Sequence, residues 1–302
     1  MKVLVSGATG FIGSKLVSYL RKNNYQSRLI SRNSESEDTI KCNLQTDTLP
    51  QSAMLDVETV FHLAGFTHDS RDSYKIKNHY YNLNVLATVK LASLAAKSNV
   101  KKFVFLSSVK AGGNSNVDKC LNEDDQSFPE GIYGETKREA ELKLLEISRD
   151  TNMQVIIIRP ALVYGPNMKG NLKLMLNGIK KGWFPPLPEI GNRRSMIHVD
   201  DLVRAIIFTT EHNHSGGEIF IATDGVSYSS RDIYNSMCKA SGKLIPKWSI
   251  PKIIFDLCSL ISPSIKSKLD KLLGNAHYSA AKLETLGFKA KKRLEYINET
   301  DF

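Results

Sequence analysis

Five apolar runs in the first 160 residues are continuous rather than alternating. They lie at 2–6 (KVLVS), 27–31, 59–64 (TVFHLA), 102–107 (KFVFLS) and 154–159 (QVIIIR). A strand with water on one face alternates apolar and polar positions, so continuous runs predict strands covered on both faces. Between them, 12–23, 80–98 and 133–149 carry apolar residues at three- and four-residue spacing, which predicts helices with one buried stripe. Strands alternating with helices predict an α/β fold with a doubly wound parallel sheet.

After Pro160 the pattern loosens. GWFPPLP at 182–188 cannot form regular structure, 196–199 and 218–221 have strand character and are expected to return to the sheet, and most of 225–300 has helical spacing. The expected organisation is a dinucleotide-binding domain over 1–165 with return segments near 195–222. A smaller, mostly helical substrate-binding region, 166–194 and 223–302, would cover the carboxyl ends of the strands, the edge where open α/β sheets bind ligands. The most apolar late stretch, 250–265, is interrupted by Pro251, Asp256 and Pro263. It is too short to span a bilayer and reads as a core helix, so no stable membrane insertion is expected.

Composition changes this picture little. The 302 residues are 41% apolar and 24% charged, as in an ordinary globular protein. The net charge of +10 comes from scattered basic residues without a nucleic-acid motif, so no nucleic acid is expected, whereas anionic small ligands suit a basic pocket. Cys42, Cys120, Cys238 and Cys258 form no CxxC pair, which points away from a metal site and toward a reducing compartment. The chain enters a strand at Lys2 without a signal-peptide pattern, so a cytoplasmic location is expected.

Candidate chemistry begins at Gly7-Ala8-Thr9-Gly10-Phe11-Ile12-Gly13, directly after the first strand and opening a helix. Glycines there let the backbone approach a pyrophosphate, and the helix N-terminus contributes N–H donors and positive potential. The second strand ends at Ser31-Arg32, without the acid that binds an NAD ribose. Ser31 and Arg32 suit a 2′-phosphate, which favours NADP, with NAD as the alternative. Tyr133 and Lys137 lie four apart on one helix face. A free tyrosine titrates near ~10, and a nearby ammonium favours the phenolate. Tyr133 could then exchange a proton with a substrate hydroxyl or carbonyl while Lys137 also binds the nicotinamide ribose. Ser108, just past the fourth of these strands, could donate to the same substrate oxygen.

Together GATGFIG (7–13), HLAG (62–65), Asn84-Val85, FLSS (105–108), YGETK (133–137), RPALVYGP (159–166), NRRSMIHVDDL (192–202) and KLETLGF (282–288) resemble the extended short-chain dehydrogenase/reductase family. Its members are NAD(P)-dependent sugar-nucleotide epimerases, dehydratases and reductases with a Rossmann fold. The resemblance implies that Asn43 and Leu44 contact adenine and that Leu63, Ala64, Gly65, Asn84 and Pro160 line the cofactor. It also implies that Lys169, Asn171 and Arg194 meet a nucleotide sugar, with UDP favoured. His68 and Lys110 read either as sugar contacts or as exposed loop residues. SSVKAGG (107–113), GPNMKGNL (165–172) and the NRRS arginines are similar to the reductases of UDP-linked 4-keto-6-deoxy-N-acetylhexosamines in bacterial O-antigen and capsule synthesis. Ala87, Leu162 and Gly112 depart from the general pattern. The resemblance therefore implies a 4-keto reductase first, with a UDP-sugar 4-epimerase retaining NAD as the alternative. A non-catalytic NADP-sensing regulator is the alternative of another class. Helices 80–98 and 133–149 would pair in a homodimer by family analogy.

Overall fold

The computed structural model describes residues 1–33, 36–67, 73–113, 119–212 and 216–301. The chain divides into two compact units, 1–114 with 123–160 and 202–222, and 115–122 with 161–201 and 223–302.

In the first unit seven strands form one parallel sheet. They are β1 (Lys2–Ser6), β2 (Gln26–Ser31), β3 (Thr39–Lys41), β4 (Thr59–His62), β5 (Lys102–Leu106), β6 (Gln154–Pro160) and, following β7 and β8 of the second unit, β9 (Glu218–Ala222). The order β3-β2-β1-β4-β5-β6-β9 reverses direction between β1 and β4. That is the topological switch point, where doubly wound sheets open a crevice at the carboxyl ends of their strands. The fold is therefore the Rossmann arrangement expected from the continuous apolar runs. Leu4, Val60, Phe103, Phe105, Val155 and Ile157 form the centre of its core, all essentially without exposure. The helices are α1 (Phe11–Lys22), α2 (Ser73–Tyr81), α3 (Ala87–Lys97), α4 (Val109–Gly112) and α5 (Gly131–Asp150). The expected helix 80–98 is not uniform: α2 and α3 are joined by a π-helical turn at Asn82–Leu86 that buries Asn84 and Val85. Such turns occur frequently at functional sites.

In the second unit β7 (Leu162–Tyr164), β8 (Arg194–His198) and β10 (Ser227–Tyr228) form a separate three-stranded sheet, β10-β8-β7. This corrects one expectation: 218–221 joins the large sheet as β9, but 196–199 does not. The backbone of β8 is paired on both edges, parallel to β7 and antiparallel to β10, and has no free edge for a further strand. The helices here are α6 (Gly170–Lys181), α8 (Ser230–Ala240), α9 (Lys252–Ser259), α10 (Pro263–Leu273) and α11 (Ala281–Thr285); α7 (Val199–Glu211) begins here and runs into the first unit. The HVDDL motif has a structural role. The buried Asp201 carboxylate accepts the backbone N–H groups of Lys291 and Lys292 at 2.9 and 2.7 Å, pinning the C-terminal segment.

A second correction concerns 250–265. No side chain of α9 or α10 is buried, so the stretch is not a core helix. Among the described residues no helix is long and apolar enough to cross a membrane.

Candidate active site

The β1–α1 turn occupies the switch point. Gly7 has φ +74°, and a Cβ there would lie 2.6 Å from the Ala64 nitrogen; a Cβ on Gly13 would lie 2.0 Å from the Gly7 oxygen. Side chains at either position would displace the turn, so the spacing of the motif is set by backbone contact. Gly10 caps α1 without a side-chain hydrogen bond, and the first turn carries no acid. The α1 N-terminus thus keeps N–H donors and positive potential without an internal anion, a cradle that fits a diphosphate. Phe11 and Ile12 open the helix. At the β2 tip Ser31 Oγ accepts the Asn33 N–H at 3.2 Å and Arg32 is exposed. Beyond β3, Asn43 Oδ1 accepts the Gln45 N–H at 3.2 Å, while Leu44 packs on the core.

A row of buried polar groups crosses the switch point. Ser6 Oγ lies 2.6 Å from His62 Nδ1, His62 Nε2 lies 2.8 Å from Thr88 Oγ1, and Thr88 donates to the Asn84 carbonyl at 2.8 Å. Burial first, then the Lys137 charge, holds the His62 imidazole down at about 3, so it is neutral at physiological pH. The Asn84 side chain holds the loop after β4: Oδ1 accepts the Phe66 N–H at 2.8 Å, and Nδ2 donates to the Phe66 carbonyl and to Thr136 at 3.1 Å each. Leu63, Ala64 and Gly65 form the start of that loop. A Cβ on Gly65 would lie 3.2 Å from Lys137 Nζ, which shows how near the loop runs to the lysine.

Ser108 begins α4 beside Tyr133, and Lys137 lies one turn further along α5. Ser108 caps α4, its Oγ accepting the Lys110 N–H at 3.3 Å, and its hydroxyl lies near the Tyr133 phenol. Lys137 Nζ donates to the Leu106 carbonyl at 2.8 Å and lies 4.3 Å from the centre of the Phe105 ring. One expectation is corrected. The ammonium does not bring the tyrosine toward neutrality in the protein alone. Desolvation dominates, pushing the Tyr133 phenol up despite the opposing Ser108 hydroxyl, and pushing Lys137 down to about 7 against the attraction of Glu141. Both groups favour their neutral forms because charge is costly in a dry site.

Beneath this trio lies a buried ion pair. Arg159, on β6, donates through Nε and a terminal nitrogen to the Glu141 carboxylate at 2.9 and 2.5 Å, and Ser107 Oγ also donates to it. Both charged side chains are 1% exposed. Glu141→Ala should therefore destabilise the protein by about 3–5 kcal/mol, because an unpaired buried guanidinium remains. Thermal unfolding checks this; a Tm shift below 2 °C would mean that water or another acid replaces Glu141.

The model of the NAD-dependent epimerase/dehydratase family matches residues 3–222. The chain belongs to this family. A UDP-glucose 4-epimerase from Vibrio cholerae is 31% identical over 97% of the chain and 92% of its own length. The N-acetyl-alpha-D-glucosaminyl-diphospho-ditrans,octacis-undecaprenol 4-epimerase of Escherichia coli O157:H7 is 25% identical over 95% and 90%. Among solved structures, a UDP-glucuronic acid 4-epimerase from Bacillus cereus in complex with NAD superposes with a TM-score of 0.79 at 20% identity, covering 98% of this chain and 95% of that one. The resemblance to extended short-chain dehydrogenases/reductases is thus met in both sequence and fold.

In this epimerase/dehydratase chain the remaining expected positions are divided between the two units. Pro160 ends β6. Lys110 pairs with Glu130 at 2.7 Å, so its ammonium is already engaged. His68 lies outside the described residues. In the second unit Lys169 caps α6, Asn171 is exposed in its first turn, and Arg194 donates to the Gly274 carbonyl at 2.7 Å. Glu141 and Arg159 escaped the sequence reading. One signal was available: Tyr133, Lys137 and Glu141 recur every four residues along one face of α5.

Proposed function

We propose that the chain makes and unmakes a ketone at C4 of a UDP-linked hexose, with 4-epimerisation as its net reaction. The observation that carries the C4 redox chemistry is the convergence of Ser108 and Tyr133 beside Lys137. Two hydroxyls near each other can both reach one substrate oxygen. Ser108 orients that oxygen; once the phenol proton has passed to the neutral Lys137 amine, the Tyr133 phenolate Oη takes the substrate proton on oxidation and returns it on reduction. Lys137, once protonated, stabilises the phenolate so formed. Bound NAD(P) supplies the hydride acceptor and donor, its diphosphate held at the α1 N-terminus. The two curated relatives carry different sugars and carriers, yet both are 4-epimerases, which supports position 4 and the epimerase outcome.

Incubation with UDP-glucose or UDP-N-acetylglucosamine and NAD, followed by proton NMR, should reveal the C4 epimer without net accumulation of reduced cofactor. Stoichiometric consumption of NADPH by a UDP-4-keto-6-deoxyhexosamine, without epimer formation, would replace this reading by the 4-keto reductase. One observation favours that second reading: the β2 tip presents Ser31 and exposed Arg32 and no carboxylate. On this ground NADPH should bind at least as tightly as NADH, and Arg32→Ala should weaken NADPH about tenfold while sparing NADH, the size of one charge-assisted hydrogen bond. Nicotinamide fluorescence titration reads both. Preference for NADH with a silent Arg32→Ala would remove the 2′-phosphate role.

A further inference from the structure

An amphipathic helix normally turns its apolar stripe to the core. In α9 the stripe faces solvent. Ile253, Ile254 and Leu257, continued by Leu260 and Ile261 just past the helix end, recur at three- and four-residue spacing and so lie on one side. Their exposures run from 46% at Ile254 to 80% at Leu260. Just upstream, Leu244 is 94% and Trp248 63% exposed. Scattered exposed leucines are ordinary; eight large exposed apolar side chains between 244 and 261 are not, and such a concentration marks an interaction surface.

The charge around the stripe identifies what it meets. Residues 241–274 hold six lysines, at 243, 247, 252, 266, 268 and 271, against two aspartates. One of these, Asp256, is neutralised by Lys252 at 2.9 Å. Lysine stems extend along an apolar surface while their ammonium groups reach outward, and tryptophan prefers the boundary between apolar and polar layers. An aliphatic stripe with a tryptophan and a lysine-rich flank is the pattern of a helix lying in the plane of an anionic bilayer. A second copy of the same face would oppose lysine with lysine, which disfavours self-association. We propose that residues 244–271 seat the chain on an anionic phospholipid surface, with α9 parallel to the membrane. This goes beyond the redox reading and does not rest on it.

Flotation of the full chain with vesicles tests it. The protein should float with vesicles of phosphatidylcholine and phosphatidylglycerol at 3:1, remain behind with phosphatidylcholine alone, and be released by 0.5 M NaCl. Ile254→Glu/Leu257→Glu and, separately, Lys266→Glu/Lys268→Glu/Lys271→Glu should each lower vesicle partitioning more than tenfold; each basic residue contributes about fivefold. Neither set touches the candidate catalytic groups, so turnover of a water-soluble substrate should be unchanged and confirms folding. In a Trp183→Phe background, Trp248 is the only tryptophan left, and its emission should shift to shorter wavelength on adding anionic vesicles. The proposal is overturned if the wild type does not float, or if the apolar variant floats as well as the wild type. It is equally overturned if the wild type is a dimer that Ile254→Glu/Leu257→Glu splits, with no vesicle binding, because the face then belongs to a second copy.

Discussion

Tyr133→Phe should lower turnover by about a hundred- to ten-thousand-fold, the usual contribution of a positioned general acid–base group. Cofactor affinity should stay within about threefold, since only the phenol oxygen is removed. Stability should fall by no more than about 1 kcal/mol, the net worth of one hydrogen bond. The combination matters more than the loss alone. Steady-state kinetics, fluorescence titration and thermal unfolding on one preparation separate a missing proton carrier from a damaged site. If turnover survives within tenfold, another group handles the proton and the role given to Tyr133 fails. If the protein turns nothing over but binds nucleotide and keeps its biological effect after Tyr133→Phe, the non-catalytic sensor becomes the better reading.

Lys137→Met should make the cofactor-free protein more stable and nearly inactive. Burial lowers the folded-state value of Lys137 to about 7 from an ordinary 10.5. Between those values the unfolded chain binds a proton that the folded chain does not, so stability rises with pH across that window. The penalty is complete below pH 7 and absent above pH 10.5. Methionine fills the same slot without a charge but leaves the Leu106 carbonyl without its donor. After allowance for that loss, a gain of about 1–2 kcal/mol at pH 7 is expected, a rise of several degrees in Tm, with turnover down at least a hundredfold. The stabilisation should shrink by pH 9.5, where the wild-type lysine is already neutral. A variant that is less stable at every pH would show that the amine supports the fold by hydrogen bonding rather than straining it by burial.

The parts of this protein legible in its sequence are those whose geometry is local. Gly7 to Gly13 describe one turn, and Tyr133 with Lys137 one helix face; strand and helix periods place them with no knowledge of the rest. Ser108 was within reach because the FLSS run ends a strand beside them. The Glu141–Arg159 pair was hidden because it joins α5 to β6, and neither residue alone shows that the other will cancel its charge. The stretch 250–265 failed for a different reason. Periodicity states that an apolar stripe exists but not what it faces, and the assumption of a core is only the commonest answer. The segment 196–199 had strand character, but which sheet a strand joins depends on neighbours far along the chain. The tyrosine's titration was misjudged because proximity of a lysine is visible in sequence whereas dryness is not.

Counting hydrogens along Ser6, His62, Thr88 and Asn84 fixes more than positions. A hydroxyl has one hydrogen to give, and Thr88 gives its own to the Asn84 carbonyl. Thr88 must then accept from His62, which places the imidazole hydrogen on Nε2 and leaves Nδ1 to accept from Ser6. Ser6, its hydrogen spent, offers a lone pair to the Ala64 N–H at 3.4 Å. Every bond in the row points the same way, toward the Asn84 carbonyl in the π-helical turn. A Grotthuss wire needs links that can reverse and an imidazole that can carry two protons; this one can do neither, since its neighbours forbid the other tautomer and its dryness forbids the cation. His62 is an insulator in the middle of the sheet: the row holds its hydrogens in one order and relays no proton across it.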